Sequence, residues 1–328
     1  MSNENNIDFV ILWVDGNDEK WIEDRNKYSN NPLDKSVNRF RDWKLLKYWF
    51  RSIEKNANWV NNIYFITYGH LPKWLNTENK KLKIINHKDY IPEKYLPTFN
   101  SNVIELNIAK IKELSEKFIL FNDDVFLMNK VEKEDFFDGN KVKDIFIENP
   151  ILATKDPYNY TQYNNMAIIN ENYDKKNYIK NKKYYNFKYG KRSLSSFIES
   201  KHEKFVGFLN QHITQPYLKS SFEKIWKIAK KECEETSNSK FRAKNNISHY
   251  AIRYMQMLDN KFEPRNLNFG KSFELSENND IIYNEIKSIK YKVICINDSN
   301  PNIDFENTKE KLIKLFEEKF PNKSKFEK

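Results

Sequence analysis

The chain has few cysteines and no long apolar run. Cys233 and Cys295 are the only cysteines among 328 residues, too few and too far apart for a disulfide framework or a cysteine zinc site. A reducing compartment is therefore the simpler expectation. Residues 1–6 lack the basic-then-apolar pattern of a signal peptide, and no apolar run approaches the ~18 residues of a membrane span. We expect a cytoplasmic protein whose charge would allow peripheral contact with the inner face of the membrane.

Aromatic side chains and basic charge are abundant. The sequence contains 24 Phe, 19 Tyr and 7 Trp, which can supply a core despite a mean hydropathy of -0.85, so a disordered chain is excluded. Its length fits two domains, or one large domain with an insertion. A net charge of +10 suits polyanions, nucleotide phosphates or an anionic membrane surface, and does not choose among them.

Residues 118–127 change from apolar to polar and back. A short apolar run bounded by polar residues is typical of a strand buried on both faces of a mostly parallel sheet, and ligands bind at the carboxyl ends of such strands. Asn122, Asp123 and Asp124 would lie at such an end. Adjacent carboxylates there need compensation, which a magnesium ion carrying phosphate oxygens would supply. The alternative is a polar turn in which Asp123 caps a following helix.

Strand-like and helix-like segments alternate over residues 7–127. The strand-like segments are 7–14, 62–68, 82–85 and 118–127, and the helix-like segments are 43–53 and 103–117. This alternation predicts an α/β sheet flanked by helices with right-handed crossovers. Asp15 and Asp18 follow the first strand, so they would project at the same sheet edge as Asp123, unless they belong to an ordinary Asp-Gly turn.

The second half of the chain has a different composition. Residues 155–204 are rich in Tyr, Asn and Lys and suggest an insertion or lid, whereas the later segments show helical periodicity at 222–233, 247–258 and 305–320 and a strand at 292–296. The residues from Pro321 are expected to fray. We therefore divide the chain into an α/β core (1–150), an insertion or lid (151–205) and a mainly helical part (206–328).

Several basic and polar residues could serve a phosphate site. Arg39 and Arg41 precede the helix-like segment 43–53, where a helix start favours anions, although Arg41 could equally pair with Asp42. Lys240 and Arg242 form a second basic step. His212 has an unperturbed pKa suited to proton transfer, but a lone histidine can also be structural. Asn297 and Asp298 repeat the pattern of an apolar strand followed by Asn-Asp.

Together these motifs resemble the Stealth family, which includes bacterial capsular polysaccharide phosphotransferases and the α/β subunit of the lysosomal-enzyme N-acetylglucosamine-1-phosphotransferase. One close block spans residues 7–21 and contains Trp-Val-Asp-Gly-Asn-Asp, and a second runs from Arg39 to Val125. Looser blocks surround His212 with Pro216-Tyr217, and Phe241-Arg242 with residues 295–298. The resemblance does not extend to the large inserted modules of the animal enzyme.

The resemblance implies a Rossmann-like nucleotide-sugar-transferase sheet, with the helical C-terminal part completing the site. It implies transfer of a sugar 1-phosphate, with N-acetylhexosamine 1-phosphate expected, from a UDP-sugar to a polysaccharide hydroxyl, with release of UMP. Membrane-associated capsule machinery is an expected peripheral contact, and nucleic acid is not an expected partner.

The implied roles divide the residues into three groups. We expect Mg²⁺ or Mn²⁺ at Asp123, Asp124 and Asp298. The catalytic group is His212 as the base, with Asp124 in reserve, Arg242 and Asp15. The substrate-binding group is Asp18, Arg39, Arg41, Asn100, Ser101, Glu105, Lys240 and Asn297.

Two other functions fit parts of the pattern. A metal-dependent glycosyltransferase would use the same nucleotide-sugar pocket but release UDP. A basic module that binds nucleic acid or anionic lipid would account for the charge and for the Tyr-Lys tract at 158–189. Carboxylates at strand ends oppose the second alternative, because they repel phosphates unless a metal intervenes.

Overall fold

The computed structural model describes residues 6–29, 41–288 and 290–328, apart from the side chain of residue 157. Its central sheet has the strand order β3-β2-β1-β4-β8. These strands are β1 (Ile7–Leu12), β2 (Ile63–Thr67), β3 (Leu82–Asn86), β4 (Lys117–Phe121) and β8 (Gln215–Leu218). The pairs β1–β2, β1–β4 and β2–β3 are parallel, and β8 runs antiparallel to β4.

Apolar runs form the strands at the centre of this sheet. Phe9, Val10 and Ile11 of β1 are fully buried, and every residue of β4 is buried. This confirms that the sheet is covered on both faces, as uninterrupted apolar strands require. The chain adds β2 and β3 on one side of β1 and then places β4 on the other side, so the strand order switches between β1 and β4. Sheets of this kind bind ligands in the crevice at such a switch point, at the carboxyl ends of the two strands.

Two smaller sheets complete the strands. One has the order β10-β11-β5, with β5 (Val125–Leu127), β10 (Gly270–Glu274) and β11 (Val293–Asn297), and the other has the order β6-β7-β9, with β6 (Phe137–Asp138), β7 (Lys141–Asp144) and β9 (Phe262–Pro264). The stretch 118–127 is therefore two strands in different sheets, joined by a turn at Asn122–Asp124. That turn connects the central sheet to β11, which pairs antiparallel with β5.

Helices cover the sheets. They are α1 (Glu19–Tyr28), α2 (Leu46–Asn56), α3 (Ser101–Leu106), α4 (Pro157–Asn172), α5 (Ser193–Glu199), α6 (Lys219–Ile228), α7 (Lys230–Asn238), α8 (His249–Leu258), α9 (Asp280–Lys287) and α10 (Phe305–Lys319). The buried face of α2 includes Trp49 and Phe50, and Trp49 packs edge-on against Phe121 of β4 at 5.3 Å. None of the helices among the described residues has the length and apolar character needed to cross a membrane.

The helix expected over 103–117 is much shorter than predicted. It runs from Ser101 to Leu106, and Nδ2 of Asn107 donates to the carbonyl of Val103 at 2.8 Å. A side chain that bonds to the backbone in this way competes with helix continuation. The indole N–H of Trp226 also donates a hydrogen bond to the carbonyl of Leu106, at 2.9 Å. The chain therefore leaves the helix early.

The C-terminal residues do not fray, contrary to expectation. Phe326 is buried, and Glu327 forms a two-point ion pair with Arg51 of α2, at 2.8 and 2.9 Å. The backbone of Glu327 also forms an isolated antiparallel β-bridge with Leu75. A buried guanidinium that needs a carboxylate partner fixes this tail to the core.

The segment 151–205 is packed against the rest of the chain. Asn165 of α4 donates to Ser248 at the start of α8 at 2.9 Å, and the rings of Tyr184 and Tyr189 are fully buried. Lys175 and Glu148 form a buried ion pair at 2.8 Å. The Tyr and Lys residues of this tract thus include core positions, and α4 extends over α8.

Candidate functional site

The candidate site lies where β1 and β4 end side by side. Ile11 is paired with Phe121 in the parallel register, so the loops that begin at Trp13 and Asn122 leave the same edge of the sheet. β11 reaches this edge from the second sheet, because Cys295 pairs with Val125 and the amide of Ile296 donates to the carbonyl of Asp124 at 2.9 Å. The two Asn-Asp motifs of the sequence are therefore neighbours in space.

Asp124, His212 and Cys295 form a compact group. The thiol of Cys295 lies 3.3 Å from Oδ2 of Asp124. One ligand atom from each of the three side chains lies within 4.8 Å of the others. A carboxylate, an imidazole and a thiol at such distances could share one cation.

The protein environment does not compensate the charge of this group fully. Burial raises the pKa of Asp124, while the neighbouring His212 and the Cys295 thiol oppose that rise. Oδ1 of Asp124 is buried and has no hydrogen-bond partner in the described part of the chain. Burial also raises the pKa of the Cys295 thiol well above its usual range.

Asp123 precedes Asp124 in the same turn after β4. Its side chain is reached by solvent, yet the surrounding protein, together with the charge of Asp124, raises the pKa of Asp123 to about 7. Two carboxylates held this close favour a bound cation or a shared proton.

These residues fit a divalent metal. The buried, unpartnered Oδ1 of Asp124 is a vacant acceptor, and cations are the usual partners for such oxygens. Asp124 and Cys295 supply one hard and one soft ligand atom. The sequence alone predicted Asp123, Asp124 and Asp298 as ligands, whereas His212 and Cys295 are the side chains that the structure places within reach of a cation at Asp124.

The loop that carries His212 is held on both sides of that residue. Arg253 of α8 donates to the carbonyl of Leu209 at 3.1 Å and to Oδ1 of Asn210 at 2.7 Å, while its other nitrogens pair with Asp144 at 2.8 and 2.9 Å. Thr214 donates to the carbonyl of Leu120 at 2.8 Å. His212 itself has φ of 49°, a left-handed conformation that is uncommon for a non-glycine residue.

Arg41 and Asp298 meet at the edge of the site. Nη1 of Arg41 lies 3.7 Å from Oδ2 of Asp298, and Nη2 donates to the carbonyl of Pro301 at 3.0 Å. The carboxylate of Asp42, the alternative partner, instead accepts from the amide of Lys44 at 2.8 Å. Asp298 thus lies against an arginine and outside the three-residue group around Asp124.

Arg242 is held beside a second ionisable pair. Its Nη2 donates to Oγ of Ser101 at 2.7 Å, and its charge opposes the burial that raises the pKa of Glu105 to about 7. Oε2 of Glu105 lies 3.8 Å from Nε2 of His249, whose pKa burial and the nearby His212 lower to about 3. Glu105 therefore lies against His249 and within electrostatic reach of Arg242.

Asp15 and Asp18 surround His70 at the end of β1. The amide of Asp15 donates to Nε2 of His70 at 2.7 Å, and Nδ1 of the same ring lies 3.7 Å from Asp18. Asp18 also caps α1 by accepting from the amide of Trp21 at 2.8 Å. Burial lowers the pKa of His70. The turn is both a helix cap and a source of carboxylates at the sheet edge.

Three further predicted binding residues have partners within the protein. The amide of Asn100 is buried and donates to Ser239, Phe241 and Asn246, at 3.3, 3.2 and 2.8 Å. Asn100 therefore ties the start of α3 to the loop that carries Arg242.

The other two also bond to groups of the protein. Lys240 donates to the carbonyl of Leu96 at 2.8 Å, and Asn297 donates to both oxygens of Glu274 at 2.8 Å. Arg39 lies outside the described residues.

Besides Cys295, sequence reasoning missed four residues that lie next to or near the predicted ones. They are His70, His249, Glu274 and Tyr158. Tyr158 of α4 interacts with Asn210 and lies within electrostatic reach of Arg242, so this part of the segment 151–205 is near the loop that carries His212. Glu274 adds a carboxylate that raises the pKa of Asp124. Of the four, only His70 follows a predicted strand, at 62–68, and that position was the one available signal.

Comparison with known proteins identifies relatives over the whole chain. The profile of Stealth protein CR1, conserved region 1, matches residues 5–32, and that of Stealth protein CR2, conserved region 2, matches residues 39–145. The capsular polysaccharide phosphotransferase WcwK of Streptococcus pneumoniae is 43% identical, with 100% of both chains covered. The exopolysaccharide phosphotransferase cps2G of Lactiplantibacillus plantarum is 40% identical, covering 98% of this chain and 96% of the relative.

A third relative and one solved structure complete the comparison. The receptor polysaccharide phosphotransferase WefC of Streptococcus gordonii is 35% identical over 98% of each chain. The crystal structure of galactosyltransferase LgtC with donor and acceptor sugar analogues covers 95% of each chain at 10% identity and a TM-score of 0.39, too low to carry an argument. The full-length matches confirm the resemblance found in the sequence motifs: this chain belongs to the Stealth family and is a transferase enzyme.

Proposed function

We propose that this enzyme transfers a hexose 1-phosphate from a UDP-sugar to a hydroxyl of a capsular or cell-surface polysaccharide and releases UMP. N-acetylhexosamine 1-phosphate is the group we favour. The observation that carries the proposal is the grouping of Asp124, Cys295 and His212 at the β1–β4 crevice. The phosphotransferase relatives support the reaction class.

His212 is the proposed base. It takes the proton of the acceptor hydroxyl, and the oxygen attacks the phosphorus that carries the sugar. The bond from that phosphorus to the bridging oxygen breaks, and the oxygen leaves with UMP. The sugar keeps its bond to phosphorus, so the product is a phosphodiester. His212 suits this role because Arg253 and Thr214 hold its loop at the crevice, which places the imidazole next to the proposed cation site.

The arginines neutralise the diphosphate in this proposal. Ser101 holds the guanidinium of Arg242 at 2.7 Å, and Asp298 lies 3.7 Å from Arg41, so both cations are oriented before the substrate binds. Phosphoryl transfer depends mainly on such positioning and on stabilising charge on the phosphate oxygens. Asp15 and Asp18, with His70 between them, would contact the nucleotide from the β1 side.

Asp124 would hold the divalent cation, with Cys295 and Asp123 at its side. When bound, the cation would neutralise negative charge on the diphosphate. Mg²⁺ or Mn²⁺ is the ion we expect there. The two cysteines are both free and buried, which fits our proposal that the enzyme works in the reducing cytoplasm, where it would meet membrane-associated capsule machinery.

Nucleotide release tests the proposal. The enzyme is incubated with a panel of UDP-sugars, Mn²⁺ or Mg²⁺ and short glycan acceptors, and UMP and UDP are separated by ion exchange. The proposal requires UMP in amounts that match the acceptor consumed. Release of UDP would establish the alternative, a glycosyltransferase in which the sugar carbon is attacked. Arg242→Gln serves as the variant with a weakened donor site and should lower UMP release at limiting donor.

A further inference from the structure

One surface presents its apolar side chains to solvent. Phe187 is 84% exposed, and Leu194, Phe197 and Ile198 of α5 are 60%, 59% and 54% exposed. We call these four side chains the α5 patch. Positions 194, 197 and 198 are separated by three and four residues, so they share one face of the helix. Apolar side chains gathered on an outer face, as opposed to scattered singly, mark a contact surface.

The polar face of α5 points inward, which reverses the usual arrangement. Oγ of Ser196 is buried and accepts from the amide of Glu148 at 3.0 Å, and Oγ of Ser195 donates to the carbonyl of Glu148 at 2.8 Å. The preceding rings of Tyr184 and Tyr189 are fully buried, and Tyr184 packs edge-on against Phe146 at 5.1 Å. The polar side of the helix thus packs against the protein, and its apolar side faces solvent.

Basic residues flank the α5 patch in the sequence. Residues 180–201 contain seven lysines and arginines and a single acidic residue, Glu199. Lys183 and Lys188 bond to protein groups, namely Glu263 and the carbonyl of Pro264. Lys191 and Arg192, which lie between Phe187 and Leu194, are exposed.

An anionic lipid surface complements both properties. Aromatic and aliphatic side chains enter the boundary between headgroups and acyl chains, and lysines next to them contact anionic headgroups. A second copy of this chain would fit less well, because a two-fold contact through the α5 patch would bring two strongly basic segments together.

We infer that the α5 patch, with Lys191 and Arg192, binds the surface of membranes that contain anionic lipids. The contact is peripheral and orients α5 toward the bilayer. This inference is separate from the donor and the reaction, because it concerns an outer surface of the segment 151–205.

Vesicle flotation tests the inference. The full-length protein is mixed with vesicles of phosphatidylcholine alone or of equal parts phosphatidylcholine and phosphatidylglycerol. The wild type should float with the anionic vesicles and remain mostly free with the neutral ones. Replacement of Phe187 and Phe197 by Ser should lower the partition coefficient at least tenfold, and Lys191→Gln with Arg192→Gln should lower it about fivefold for each charge removed.

Matched controls distinguish binding by the α5 patch from nonspecific effects of any exposed apolar or basic side chain. Ile281 of α9 is 69% exposed and lies outside the α5 patch, so Ile281→Ser should leave flotation unchanged. Lys231→Gln removes an exposed charge elsewhere, on α7, and should have a much smaller effect than Lys191→Gln. Circular dichroism and thermal unfolding verify that each variant is folded. If the Phe variants do not fold, the Lys191 and Arg192 variants still decide the test.

Three results would overturn the inference. The first is wild-type protein that does not float with anionic vesicles. The second is flotation that the patch variants lose no more than the controls do. The third is a dimer in sedimentation velocity that the Phe variants abolish while lipid binding is absent, which would assign the α5 patch to a second copy of the chain.

Discussion

The thiol of Cys295 lies 3.3 Å from Oδ2 of Asp124, although 170 residues separate them in the sequence. The turn after β4 and the strand β11 bring these side chains together, and the amide of Ile296 holds the turn by donating to the carbonyl of Asp124 at 2.9 Å. A soft ligand atom thus lies beside the carboxylate that the sequence marked as central.

Cobalt binding should report this thiol. Metal binding displaces the proton of a liganding thiol, so Co²⁺ added to the wild type should give a sulfur-to-cobalt charge-transfer absorption in the near ultraviolet. Cys295→Ser should abolish the band. Cys233→Ser is the matched control, because Cys233 is equally buried but its thiol lies against the carbonyl of Ile225. A band that survives in Cys295→Ser and disappears in Cys233→Ser would remove Cys295 from the metal site.

His212→Asn should lower turnover about 100-fold or more, the usual scale of a general base. Asn adopts the left-handed conformation that His212 has, with φ of 49°, so the loop should keep its shape. Steady-state kinetics with saturating donor and acceptor measure the effect, and the KM for the UDP-sugar should change little. A loss of only severalfold would assign His212 a structural role.

Glu105 and His249 should have opposite effects on the pH dependence of stability. Burial raises the pKa of Glu105 from 4.5 to about 7 and lowers that of His249 from 6.5 to about 3. Between pH 4.5 and 6.5 the folded protein carries one proton on Glu105 and the unfolded protein carries one on His249. The two pKa shifts therefore offset each other in the wild type.

Replacing one of the two residues makes the pH dependence due to the other measurable. In Glu105→Gln only His249 remains, so the free energy of unfolding should fall as the pH drops below 6.5. In His249→Gln only Glu105 remains, and its contribution is present below pH 4.5 and lost as the pH rises toward 7. Urea unfolding across this range measures both slopes. Identical slopes in the two variants would refute the assignment.

Glu327→Gln should destabilise the protein through Arg51. The guanidinium of Arg51 is buried and loses a two-point partner, while Glu317 still lies 3.1 Å away, so we expect a loss of about 1–3 kcal/mol in the free energy of unfolding. Glu306→Gln, which removes an exposed carboxylate from α10, should change it by no more than about 1 kcal/mol. Equal unfolding curves for both variants would show that the tail is not fixed by this pair.

The sequence predicted the parts of the fold that depend on local pattern. Strands β1 and β4 are apolar runs because both of their faces are buried, and the polar residues after them mark the edge where ligands bind. The helix end at Leu106 was missed because the side chain of Asn107 competes with the backbone, an effect that periodicity does not show.

Contacts between distant segments could not be predicted in this way. The pairing of Glu327 with Arg51 joins the last residues to α2, and His249 reaches Glu105 only because α8 packs beside α3. Tyr158 lies in a tract whose composition suggested an insertion or lid. In each case the signal is a three-dimensional neighbour, which a single sequence does not reveal.

The reaction at the β1–β4 crevice is tested most directly by phosphorus-31 NMR of the product formed by the wild type and by Asp124→Asn. The account predicts a phosphodiester resonance in the glycan with stoichiometric UMP for the wild type, and a rate at least about 100-fold lower for a folded Asp124→Asn protein. A glycan without phosphorus, accompanied by UDP, or wild-type turnover by Asp124→Asn, would contradict it.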